Sequence, residues 1–354
     1  MGIFVSTMKL GAIITIFFIR SITLDAQTLG GSSVFNFLRM SNTPQLTALG
    51  GENISNQSED IGMAYQNPSL LRETMHTQAS FVFNSLYGGI KNYHLQAGYR
   101  SESLKTNFAF GIVYFNYGSV DQTDASGNIM GVFKPRDYVV QLSMSRNYLS
   151  RWVYGASLKY IGSDYGAFTS SGLAVDLGLS YFDTSIGFQG SFVIKNIGTQ
   201  LTTYTGSAKE ELPFDLQLGV SKRLKNAPLQ FSLTMNRLHR FDVTYNDSAY
   251  NAENGLDQHT KSFSLDNIFR HIILSTQVYI TDKVEVSVGY NYLRRKELNI
   301  GTSGNGVNGF SAGVGVLFKK IQLRYGQAYY QSSRAYHQVG VNIKFNEFST
   351  FGKL

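Results

Sequence analysis

Cysteine is absent from this chain, and proline occurs only five times. The first absence rules out a disulfide framework and any thiolate metal site. Charge is also scarce. Asp, Glu, Lys and Arg make up 16% of the residues, against about a quarter in soluble domains. Long apolar runs are missing with one exception near the start, which excludes a bundle of membrane helices needing about 20 apolar residues each. Mean hydropathy is slightly negative, at −0.12. What the chain has instead is 35 glycines, 22 tyrosines and 25 phenylalanines in 354 residues. Aromatics favour strands, and glycine weakens regular elements unless a close fit demands it. The length would suit two soluble domains or one large one. A formal charge of +7 comes without a Lys/Arg run, so no nucleic-acid partner is expected.

The one apolar run lies in Met8–Gln27, with Lys9 ahead of a core from Leu10 to Ile19. That core has signal-peptide length and is short for a membrane crossing. Cleavage is expected after Ala26, making residues 1–26 a signal peptide. Leu24 departs from the small residue preferred near the cut, and Arg20 interrupts the run. An N-terminal anchor helix is the alternative. A chain exported through the inner membrane must carry no further stop-transfer run, and alternating strands meet that condition.

From about residue 78 the hydrophobic period is two. Leu229, Phe231, Leu233 and Met235 alternate with Gln230, Ser232, Thr234 and Asn236. Val284, Val286, Val288, Tyr290 and Tyr292 alternate with Glu285, Ser287, Gly289 and Asn291. A helix would place apolar residues at spacings of three and four. Fourteen such runs are marked, near 78–87, 92–100, 106–117, 136–147, 151–162, 172–182, 186–197, 214–223, 227–238, 269–280, 283–293, 309–318, 320–328 and 336–345. The pattern predicts an all-β fold: a transmembrane antiparallel barrel of about 14 strands over 78–345.

Connection lengths point the same way. Tight links such as SESLK, YLS, DTS and LKNA alternate with long ones near 118–135, 163–171, 198–213, 239–268 and 294–308. Bacterial barrels pair short periplasmic turns with long outer loops, so both ends of the chain are expected in the periplasm, with 346–354 as a short tail. The apolar set of each strand should face lipid, where no water can satisfy polar groups. The other set then faces the lumen. It holds Gly98, Gly111, Gly155, Gly178, Gly187, Gly219, Gly289, Gly313, Gly315 and Gly340, with Gln141, Asp176, Gln217 and Asn342. These glycines either let another backbone approach or relieve bending of the wall. Val113 and Phe115 are apolar exceptions in this inward set.

Residues 27–77 do not alternate, yet they carry Phe35, Phe37, Leu38, Leu46, Leu49, Leu70 and Leu71. Those side chains need burial, and the nearest large cavity is the lumen. The segment is read as a hatch, with a partly disordered periplasmic arm as the alternative. Here the sequence resembles a known group. A Leu-Gly-Gly turn, a polar acidic stretch and then Asn67-Pro68 ahead of a barrel are similar to the FadL-type outer-membrane family, in which the Asn-Pro element belongs to the hatch of a fourteen-stranded barrel. Gly30–Ser55 with AYQNPSLL resembles the start of the PorQ group, FadL-like components of the Bacteroidetes type IX secretion system. The resemblance is specific over 30–71 and general elsewhere. It implies a non-enzymatic surface role, a PorZ-type direct partner, and membership with PorU and PorV in a complex that joins cargo to anionic lipopolysaccharide.

Catalytic signatures are scarce. The six histidines lack H-E-x-x-H spacing, and no G-x-S-x-G elbow occurs. His239, Asp242, Asp247 and His259 share the longest loop, as polar residues in solvated loops commonly do. Gly304, Gly306 and Gly309 fit G-x-G-x-x-G but lie between two alternating strands; a dinucleotide site needs a following helix. No enzyme activity, metal or cofactor is expected. Two candidate surfaces remain. Arg294, Arg295 and Lys296 could meet lipopolysaccharide phosphates or be an ordinary interfacial cluster. Phe241, Tyr245, Tyr250 and Phe263 in the longest loop form a candidate protein interface, since aromatics are enriched in such contacts. The leading expectation is a scaffold holding a soluble partner at the surface. The alternative is a carrier of hydrophobic small molecules, which would need an apolar pocket inside the barrel.

Overall fold

The computed structural model describes residues 33–243, 264–298, 306–331 and 334–348. Sixteen strands follow in chain order: β1 (Gln78–Ser85), β2 (Lys91–Ser101), β3 (Thr106–Asn116), β4 (Val120–Thr123), β5 (Ile129–Phe133), β6 (Arg136–Tyr148), β7 (Trp152–Tyr165) and β8 (Phe168–Asp183). Then come β9 (Phe188–Thr202), β10 (Asp215–Arg223), β11 (Leu229–Met235), β12 (Ile272–Thr281), β13 (Val284–Asn291), β14 (Phe310–Leu317), β15 (Ile321–Gln331) and β16 (Arg334–Lys344). All but β4 and β5 form one closed antiparallel barrel of fourteen strands, an outer-membrane β-barrel fold. Each of the fourteen alternating runs is a wall strand.

Closure follows from β1 pairing with β16, in register from Gln78↔Lys344 to Ser85↔His337. The pairing leaves no open edge, which hydrocarbon would not tolerate. The facing also follows the pattern. Leu173, Leu177, Leu179, Phe231, Val288 and Val339 are exposed on the outside, while Asp176, Gln217, Gln230, Ser287 and Gln338 are buried inside. Exposed aromatics gather at both rims. Tyr99, Tyr148 and Trp152 lie at one, Tyr93, Tyr160 and Phe310 at the other, as in the girdles of membrane barrels.

Six connections at one end are tight, and the N-terminal start of β1 and the end of β16 lie at that end. The opposite, loop end differs from expectation in two places. Residues 163–171 are not a long loop, because β7 and β8 run on to a turn at Gly166 and Ala167. Residues 118–135 hold the hairpin β4–β5, which continues β3 and β6 beyond the wall. Outside lipid a strand needs no apolar face, so its hydropathy pattern reads as loop. A helix Leu265–Arg270 precedes β12, and a helix Tyr292–Leu298 follows β13. The expected signal peptide, residues 1–26, lies outside the described residues, as does the tail beyond Phe348.

Residues 33–77 are folded as short turns, with helices at Pro44–Ala48 and Met63–Gln66. Their side chains are almost all buried, Leu46, Leu49, Ile54, Ile61 and Met63 completely so. Inward-facing atoms of strands from β6 round to β16 bond to them, which places this inner segment within the barrel.

Candidate functional site

The lumen is built from two complementary surfaces. On the wall side, glycines remove side chains where the inner segment comes close. A Cβ at Gly155 would lie 2.6 Å from the Pro68 carbonyl carbon, and one at Gly289 would lie 2.2 Å from the Gly50 nitrogen. Gly98, Gly178, Gly219, Gly313 and Gly340 likewise face the segment within 3.0 Å. Between the two explanations left open by the sequence, close approach is the one realised at these positions, by the segment's backbone at Gly98, Gly155 and Gly289 and by its side chains at the others. Gly111, Gly187 and Gly315 are exceptions, their nearest neighbours being a more distant ring or other wall groups.

Hydrogen bonds then fix the segment to the wall. Asn67 Nδ2 donates to Ile54 O at 2.7 Å and to Ser180 Oγ of β8 at 3.3 Å, while its Oδ1 caps the turn by accepting from Ser69 N at 3.0 Å. Pro68 opens that turn, where its missing N–H costs nothing. The Asn-Pro element thus meets β7 and β8 towards the end of the wall with the tight turns. Glu52 accepts from Gln217 at 3.0 Å and Asn236 at 2.8 Å. Gly50 N donates to Ser311 Oγ at 3.0 Å, and Asp60 accepts from Asn342 at 2.8 Å. Lys195 donates to Gln66. Charges left on the wall pair with one another. Lys159 meets Asp176 at 2.5 Å, both nearly unexposed, and Arg324 meets Glu285 at 3.0 Å. Burial of an unpaired charge would cost several kcal/mol, so the pairing is what permits them inside.

The loop end of the lumen is different. Val34, Phe35, Leu38 and Tyr65 of the inner segment pack with Val113, Phe115, Val139, Ile161 and Ala174 of the wall in an apolar cluster. Phe37 stands edge-on to Phe115 at 5.5 Å. A small recess opens beside this cluster, lined by Phe37, Leu38, Met40, Val113 and Phe115, with Asn42 and Asn92 as polar members. Its enclosed part has room for about one water molecule. The sequence singled out Val113 and Phe115 but not Val139 or Ile161. Their signal was a local loss of alternation, since Val139-Val140 and Tyr160-Ile161 put apolar residues on both faces of their strands.

The two expected surfaces are placed as follows. Arg294 is not at the membrane rim. It is buried, donates to Gly50 O at 3.0 Å and Tyr330 Oη at 3.1 Å, and lies over the Tyr330 ring. The helix Tyr292–Leu298 turns this residue inward, where a carbonyl and a phenol accept from one of its guanidinium nitrogens. Arg295 is half-buried, and Lys296 is exposed and paired with Asp266 at 3.2 Å. Phe241 is exposed, its carbonyl 3.1 Å from His271 Nε2. Tyr245, Tyr250 and Phe263 lie outside the described residues. In that same loop region Asp266 accepts from Tyr292 Oη at 2.5 Å and Arg270 Nε at 2.6 Å, clasping the two loop helices together. These bonds, the Tyr292 hydroxyl first, hold its carboxyl down at about 2.

No protein-family model matches the chain, and no curated protein does. Among solved structures it is similar to a deletion mutant of the TodX monoaromatic hydrocarbon channel, with 13% identity over 85% of this chain and 97% of that one, TM-score 0.49. A Pseudomonas aeruginosa FadL homologue matches with 10% identity over 86% of this chain and 98% of that one, TM-score 0.48. The KdgM porin matches with 6% identity over 75% and 98%, TM-score 0.34. At these scores nothing about ligand or partner carries across.

Proposed function

We propose that the protein is an outer-membrane carrier of hydrophobic small molecules, with its long loops outside the cell, both chain ends in the periplasm, and the inner segment acting as the hatch. The apolar cluster at the loop end carries this reading. An otherwise polar lumen gathers Phe37, Val113, Phe115, Val139 and Ile161 at one mouth, an apolar surface of the kind that receives a hydrophobic ligand. The enclosed space, with room for about one water molecule, is far smaller than the pockets of about 300 Å³ and more that hold such ligands, so reception requires the hatch to shift. A photoactivatable hydrocarbon probe, applied to the purified barrel in amphipol, tests it. Labelling is expected at Phe37, Met40 and Phe115 and is reduced by Phe115→Asp. Labels confined to lipid-facing side chains would overturn it.

A second reading is a scaffold of the type IX attachment complex, holding a PorZ-type protein near PorU and PorV while cargo is joined to lipopolysaccharide. The similarity of residues 30–71 to PorQ-type proteins supports it, and so does the dense bonding that fills the lumen. Co-purification from detergent extracts separates the two. A stoichiometric soluble partner favours the scaffold, and a lone barrel with bound lipid favours the carrier.

A further inference from the structure

The inner segment is not held equally on all sides. Wall residues of β9 through β14 that face it are bonded to it: Gln189 to Gln57, Ser221 to Ser55, Gln277 to Asn56 and Ser311 to Ala48. Along β1 and β2, above Gln78 and Gly98, the pattern stops. Ser80 Oγ, Asn84 Oδ1, Asn92 Oδ1, both ring nitrogens of His94 and Gln96 Oε1 are buried without a hydrogen-bond partner among the described residues. None of these five residues is more than 4% exposed.

Their placement is orderly. Asn84 pairs with Asn92, and Ser80 with Gln96, in the β1–β2 register. Asn92, His94 and Gln96 are successive inward residues of β2, so the row spans about 13 Å. Its upper end is the recess, which Asn92 lines. Tyr65 joins the two, lining the recess and standing edge-on to His94 at 5.2 Å. Its lower end closes where Met75 covers Gly98 and Gln78 donates to Glu59 O at 2.9 Å.

Buried polar groups are normally satisfied, and a whole row left open asks what bonds to it. Five such residues in line, on a side where the hatch is tethered only at the lower end, through Gln78 and Gly98, describe a path rather than a packing fault. The row carries no lysine, arginine or carboxylate, so nothing in it compensates a charged solute. We propose that solutes pass the hatch along β1–β2, and that they are uncharged molecules pairing an apolar body with a hydrogen-bonding group such as a hydroxyl. The apolar recess receives the body; Asn92, His94 and Gln96 in turn bond the polar group. This rests on the carrier reading and narrows its substrate class.

The absence of native cysteine allows a direct test on the full chain folded in lipid bilayers. Single Asn92→Cys, His94→Cys and Gln96→Cys variants are compared with Ser275→Cys and Ser311→Cys on the tethered side, each verified by heat-modifiable migration. Neutral methyl methanethiosulfonate is expected to label the β2 positions about tenfold faster than the tethered ones. The anionic sulfonatoethyl reagent should lag well behind it at β2. Equal rates on the two sides, or equal rates for the two reagents at β2, would overturn the proposal. Failure of the carrier reading looks different: β2 labels as expected, yet no hydrocarbon probe reaches Phe115.

Discussion

Val286 faces lipid between two inward neighbours, Glu285 and Ser287, that are buried. Val286→Arg is expected to lower folding free energy by about 2–4 kcal/mol if the residue sits near the midplane. Reversible unfolding in lipid vesicles measures it, and an unchanged value would contradict the facing of β13. Asp266 makes a second prediction. Its carboxyl is held at about 2, below its unfolded value near 3.9. The clasp it forms with Tyr292, Arg270 and Lys296 therefore contributes stability above pH 4 that fades as pH falls through 2. Amide exchange in Leu265–Arg270 should be flat between pH 7 and 4 once corrected for intrinsic rate, and Asp266→Asn should raise it throughout. At this scale the sequence was readable where one neighbour decides the matter. It could not show that Arg294 turns inward, because its partners Gly50 and Tyr330 are about 240 and 36 residues away along the chain.

Among the elements, strands were the legible ones. Period two marks a wall with lipid on one side and polar groups on the other, and this held for all fourteen wall strands. It failed for β4 and β5 and for the outer ends of β7 and β8, where lipid no longer imposes a pattern. The glycines show the same limit. Sequence placed them inward without saying what they face. The prediction here is that Gly289→Leu, whose side chain would enter the backbone of Leu49 and Gly50, displaces the inner segment and leaves the wall intact. Protease nicking within 44–62 should rise while the barrel still migrates as folded. An unchanged cleavage pattern would mean that the segment does not press on β13.

For the molecule as a whole, the inner segment decides how far the lumen is filled. The inward set is polar enough to be hydrated, so a chain lacking residues 33–72 should still close. It is expected to conduct ions in planar bilayers, whereas the full chain should conduct little. Equal conductance would show that the segment does not obstruct the lumen. Deleting the gene separates the two functional readings. Cargo that is secreted but not anchored points to the scaffold, and an uptake defect for hydrophobic compounds with normal anchoring points to the carrier.

The period of two, the absence of long apolar runs and the alternating connections determined by themselves that this chain closes as a fourteen-stranded barrel. These are local signals, each set by a residue and its solvent. Where the inner segment bonds, which glycines it presses on, why the loop-end mouth is apolar and why a row of polar groups along β1 and β2 is left unbonded were decided only in three dimensions. Each depends on groups far apart in the chain that meet once the wall has closed.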